Sequence, residues 1–149
     1  MILIIAGSRG YHRDEYMPKL DEAIRLSGFK PTKIIHGAEM TSVDRLAREW
    51  ARRNKLPEQG YPADWEGTVA RGLPRGAAGP IRNGELAKIG NALVALWDGE
   101  SPGTHDMITK TRRAKKPGFV YRLDGVPHEH FPIEQPQLAL DLGTPARRR

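Results

Sequence analysis

The chain has 149 residues, 38% of them hydrophobic and 28% charged, with three Trp, four Tyr and three Phe. That is one domain's length, in a composition too apolar for a disordered chain. The absence of cysteine excludes disulfide frameworks, thiolate nucleophiles and Cys-based metal sites. Half of the +6 net charge comes from Arg147, Arg148 and Arg149, so the basic excess suits a phosphate-bearing ligand as well as a nucleic-acid surface.

In chain order, Ile2-Leu3-Ile4-Ile5-Ala6 is an unbroken branched apolar run, the pattern of a strand buried on both faces of a parallel sheet. It is far shorter than the ~20 residues needed to span a bilayer, and a soluble, cytoplasmic protein is expected. Pro18 opens a helix with Leu20, Ala23, Ile24 and Ser27 on one face, closed by Gly28. Lys33-Ile34-Ile35-His36 reads as a second strand. A helix over 42–54 follows, with Val43, Leu46, Ala47, Trp50 and Ala51 as its core stripe. Residues 58–62 suggest a weak third strand, and the Gly- and Arg-containing stretch 66–79, which has no period, reads as a mobile loop. Gly79-Pro80 opens a helix that stops at Gly90. Residues 92–97 form a buried strand, Thr104 N-caps a helix carrying Met107, Ile108, Thr111 and Ala114, and residues 119–123 form a fifth strand. Residues 124–149 are expected to be an extended tail with a basic end. Strands alternating with helices imply one Rossmann-like, doubly wound α/β domain over 1–123, with a mostly parallel five-stranded sheet. In such sheets, ligands sit beyond the carboxyl ends of the strands.

The loops at those ends hold the candidate site. Gly7, Ser8 and Arg9 offer a close backbone approach, a hydroxyl and a guanidinium, although the segment lacks the dinucleotide fingerprint. Gly37, Thr41, Ser42 and Asp44 stand at a helix start. Asp44 admits two roles, ligand contact or closing a capping box with Thr41. His36, ending an apolar strand, suits a structural histidine. Asp64 and Trp65 pair a carboxylate with an aromatic that can stack on a base, or cover the sheet end. Gly79, Arg82 and Asn83 fall in the first turn of a helix, where an arginine opposes the dipole unless an anion is bound. Gly103 and Thr104 bring small residues and free N–H groups to another helix start. Asp44, Asp64 and Asp106 are the candidate catalytic acids. No metal site is expected, since the five histidines do not adopt zinc spacing.

Together, Gly7-Ser8-Arg9, His36-Gly37 through Asp44-Arg45-Leu46-Ala47, Pro62-Ala63-Asp64-Trp65, Ala78-Gly79-Pro80-Ile81-Arg82-Asn83 and Gly103-Thr104 through Met107-Ile108 resemble the YspA-like, YpsA-related branch of the SLOG superfamily. That Rossmann-like superfamily includes DprA DNA-processing proteins, molybdenum-cofactor carriers and Lonely Guy phosphoribohydrolases; small YspA-like members often occur in phages and actinobacteria. The resemblance covers about residues 1–123. It implies a nucleotide or nucleotide-derived ligand at the strand ends, with homo-oligomers common in the superfamily. Two departures stand out. The loop Gly37-Ala38-Glu39-Met40-Thr41-Ser42-Val43-Asp44 lacks the family's later glycines and carries Glu39, which repels phosphate. After Gly103-Thr104 come His105, Asp106 and Met107, where Lonely Guy enzymes carry a catalytic glutamate.

Gln137-Leu138-Ala139-Leu140-Asp141-Leu142 is similar to the bacterial sliding-clamp-binding peptide, and equally reads as a tail strand covering the sheet. Three functions follow in order. The first is a nucleotide-binding sensor, carrier or sequestering module. The second is an N-glycosidic-bond-cleaving enzyme of phosphoribohydrolase type on the same pocket. The third is a DprA-like or clamp-tethered DNA accessory protein, using Gln137, Leu138, Leu140 and Leu142 for the clamp.

Overall fold

The computed structural model describes residues 1–132; the clamp-like segment with Gln137, Leu138, Leu140 and Leu142 and the terminal arginines lie outside the described residues. The elements are β1 (Ile2–Gly7), α1 (Met17–Ser27), β2 (Lys33–His36), α2 (Val43–Arg53), β3 (Glu58–Gly60), α3 (Trp65–Ala70), α4 (Ala78–Ile89), β4 (Ala92–Trp97), α5 (Pro102–Arg113), β5 (Gly118–Arg122) and β6 (Glu129–Phe131). The sheet order is β3-β2-β1-β4-β5-β6, parallel throughout except for the antiparallel pairing of β5 with β6.

The period of two along the central strands sorts side chains between two layers. Leu3 and Ile5 of β1 and Ala92, Val94 and Leu96 of β4 face α1 and α2. Ile4, Leu93 and Ala95 face α4 and α5. On α2 the expected stripe is buried while the arginines face outward. Gly7 lets α2 close on β1, because a Cβ there would overlap the Val43 side chain. Gly28 caps α1 in the left-handed region, φ 77°. Among the described residues no helix is long and apolar enough to cross a membrane, and no group of three His, Asp or Glu side chains could hold a metal ion.

Four expectations need correction. The sheet has six strands, not five, because Gly118 makes room for the Phe131 ring and lets 129–131 pair along β5; a three-residue strand is too short to show a period. The stretch 66–79 is not without regular structure. Asp64 caps α3 through the Gly67 N–H, Thr68 is buried, and a 3-10 turn over Arg75–Ala77 leads into α4. Helix α4 therefore starts at Ala78, which places Arg82 beyond the first turn. Helix α5 starts at Pro102, whose fixed φ suits the first helical position, so Ser101 and not Thr104 is its N-cap.

Candidate functional site

The strand order reverses between β1 and β4, where doubly wound sheets open a crevice. A cavity of about 600 Å³ lies there, within the range of small-molecule sites, roughly 300–1,000 Å³. Gly7, Arg9, Gly37, Ser42, Asp44, Trp65, Gly79, Arg82, Asn83, Gly103, Thr104 and Asp106 all line it. Of the candidate residues, Ser8, Thr41 and Asp64 do not. Ser8 is 0% exposed, and its hydroxyl accepts the Asp98 N–H at 3.1 Å. The Asp64 carboxylate is occupied as the α3 cap.

The loops after β1 and β2 are joined. Gly10 N–H donates to the Thr41 carbonyl at 2.9 Å, and the Arg9 guanidinium pairs with Glu39 at 3.4 Å. Glu39, expected to repel phosphate, accepts from the Thr41 hydroxyl at 2.8 Å. That bond above all, with Arg9 and Arg82 adding to it, holds its carboxyl below the usual range. The turn is braced by His36. Its Nδ1 accepts the Ala38 N–H at 3.0 Å, leaving Nε2 to donate to Glu58 at 2.6 Å, which is the neutral tautomer. This bracing holds Ala38 at φ 59°.

Asp44 does not close a capping box with Thr41. Ser42 is the N-cap and accepts the Asp44 N–H at 3.2 Å, which puts Asp44 one position too early to reach back. Its side chain turns instead to the Glu39 N–H at 3.1 Å. It is 6% exposed and lines the cavity, and Oδ1 makes no hydrogen bond among the described residues. Burial pushes this carboxyl up to about 6 from 3.8, against the pull of the Glu39 N–H and the Arg82 charge.

Arg82 spans the far wall. Its Nη1 donates to the carbonyls of Gly37 and Tyr61, the latter at 3.1 Å. These are the ends of β2 and β3, so carbonyls rather than a helix dipole set its position. Trp65 is 37% exposed, and the Arg75 guanidinium lies 5.4 Å from its ring centroid. At α5 no side chain caps the N-terminus, leaving the first-turn N–H groups without intrahelical partners. The cavity wall also includes Glu39, Gly76, Leu86, Ser101 and Met107. Leu86 and Met107 read as core from their spacing, and no local signal distinguishes a core position from one lining a cavity.

These features define a Rossmann-like α/β protein with a cleft at the topological switch point. Residues 1–67 match the family model described as YspA, cpYpsA-related SLOG family. The match includes the loops after β1 and β2 with Asp44, Asp64 and Trp65, and ends before α4 and α5. No curated protein and no solved structure matches the chain.

Proposed function

We propose that the switch-point cavity binds a nucleotide or nucleotide-derived phosphate ligand, as a sensor, carrier or sequestering module. The observation that carries this reading is the convergence of the loops after β1, β2 and β4 with Arg9 and Arg82 around one cavity. Gly103, where a Cβ would meet nothing within 4 Å, leaves room for a close backbone approach there, and the α5 N-terminus favours negative charge. Trp65 offers a flat apolar face for a base. The family match supports a nucleotide-related ligand.

A second reading, cleavage of an N-glycosidic bond, draws on Asp44. A buried carboxyl with a pKa of about 6 can hold or release a proton near neutrality, as acid catalysis of base departure requires. The other two candidate acids are engaged: Asp106 with Lys110 and Asn83, Asp64 with the α3 N-terminus.

Thermal unfolding against mononucleotides, cyclic nucleotides, ADP-ribose, NAD and a single-stranded oligonucleotide tests the binding reading. A ligand at 100-fold over its Kd adds about 2.7 kcal/mol, or roughly 5–10 °C. Selective stabilisation by one small nucleotide is the expected result. Stabilisation by the oligonucleotide alone, or by nothing in the panel, overturns it. Release of free base from a nucleotide by wild type but not by Asp44→Asn establishes the second reading.

A further inference from the structure

Arg82 is held at two of its three nitrogens. Nη1 donates to Gly37 and Tyr61, and Nε donates to Asn83 Oδ1 at 3.0 Å. Nη2 makes no hydrogen bond among the described residues, and Arg82 lines the cavity. Asn83 is only 7% exposed, and the orientation of its amide is fixed by chemistry. On one side, a guanidinium N–H can only donate, so the amide oxygen must face Arg82. On the other, Nδ2 donates to Asp106 Oδ2 at 3.0 Å and to the Gly103 carbonyl at 3.3 Å, and both can only accept. Asp106 is in turn held by Lys110, 2.6 Å from Oδ1. A continuous chain therefore runs Lys110–Asp106–Asn83–Arg82, from α5 through α4 to the ends of β2 and β3.

Resting on the ligand reading above, we propose that Asn83 and Asp106 are positioning residues that aim the unpartnered Nη2 of Arg82 at the anionic group of the ligand. Asp106 then serves as a strut instead of a catalytic acid: one oxygen is engaged by Lys110 and the other by Asn83. Arginine suits this task because its planar fork can spend Nε and Nη1 on fixed acceptors and still present the two N–H groups of Nη2 in a set direction. A lysine, a point charge on a flexible stem, could not be aimed in this way.

The test compares AMP with adenosine by calorimetric titration on the full chain, because only AMP carries the anion. Arg82→Ala should lower the AMP-over-adenosine preference about tenfold or more, the scale of one charge-assisted hydrogen bond. Asn83→Ala and Asp106→Ala should lower it about threefold to tenfold, the coupling found within one hydrogen-bond network. Adenosine affinity should hold in each, and Asp106→Asn should recover part of the loss. The decisive readout is the double variant: with Arg82→Ala present, Asp106→Ala should change the preference no further. Full additivity, or an Asp106→Ala preference equal to wild type, overturns the proposal. If wild type binds neither probe, adenine mononucleotides are excluded as the ligand, and the nucleotide reading itself is decided by the thermal panel above. The aiming claim is then decided by NMR exchange of the Arg82 Nε–H, where acceleration in Asn83→Ala and Asp106→Ala upholds the chain and an unchanged rate refutes it.

Discussion

The two faces of the sheet are built differently. On the α1–α2 face, Leu20, Ile24, Leu46 and Trp50 pack against Leu3, Ile5, Val94 and Leu96, and Val43 closes on Gly7 at the carboxyl end. On the α4–α5 face, Leu86, Ala87, Met107 and Ile108 cover the sheet. There the helices enter with Ala78-Gly79-Pro80 and Pro102-Gly103-Thr104, residues too small to fill the carboxyl end. One layer is packed throughout, and the other is left hollow where the strands deliver their loops. The packed face supplies stability, and the hollow face supplies volume and polar groups, while the first turn of α2 adds at the cavity one buried carboxyl, Asp44, that costs stability.

Substitutions can break that contrast. Leu46→Ala, at a fully buried α2 position, should cost about 2–5 kcal/mol in urea unfolding while leaving affinity per folded molecule intact. Asp44→Asn should do the reverse, stabilising the fold while weakening ligand binding. A carboxyl raised from 3.8 to about 6 binds its proton more tightly in the folded state. Its contribution to stability therefore falls as pH rises from about 4 to about 6, and stays lost above. At about 1.36 kcal/mol per pKa unit, the asparagine variant should gain up to about 3 kcal/mol at pH 7 and nothing below pH 4. An equal gain at every pH would show that burial of charge is not the cause. Glycines sharpen the contrast. Gly7→Ala drives a methyl into Val43 and the Leu96 carbonyl and should cost about 1–3 kcal/mol. Gly79→Ala on the hollow side meets nothing within 4 Å and should gain about 0.5–1 kcal/mol as a helix residue. Trp65→Ala should have the smallest effect on stability, under about 1 kcal/mol for a half-exposed side chain, with its loss appearing in ligand affinity.

The central strands were legible in the sequence because both-face burial writes itself as uninterrupted apolar runs, as at 2–6 and 92–97, whereas the three-residue edge strand β6 carries no such run. So was α2, whose stripe repeats at helical spacing. Helix α3 was hidden by its six-residue length and by Gly67, which is tolerated because Asp64 caps its N–H. Most candidate residues meet at the cavity because the topology places every parallel strand end on one edge. Their individual roles were not legible. Whether Ser8 faces a ligand or the Asp98 N–H, and whether Asp106 is a free acid or a strut, depends on partners about 20 to 90 residues away in sequence.

The most direct test of a ligand cavity on the hollow carboxyl edge is an amide chemical-shift map of the full chain titrated with ADP-ribose. Saturable shifts should cluster at Arg9, Gly37, Ser42, Gly79, Gly103 and Thr104, with α1 and the outer face of α2 silent. Shifts confined to the basic outer face of α2, or no shift at millimolar ADP-ribose, would contradict it.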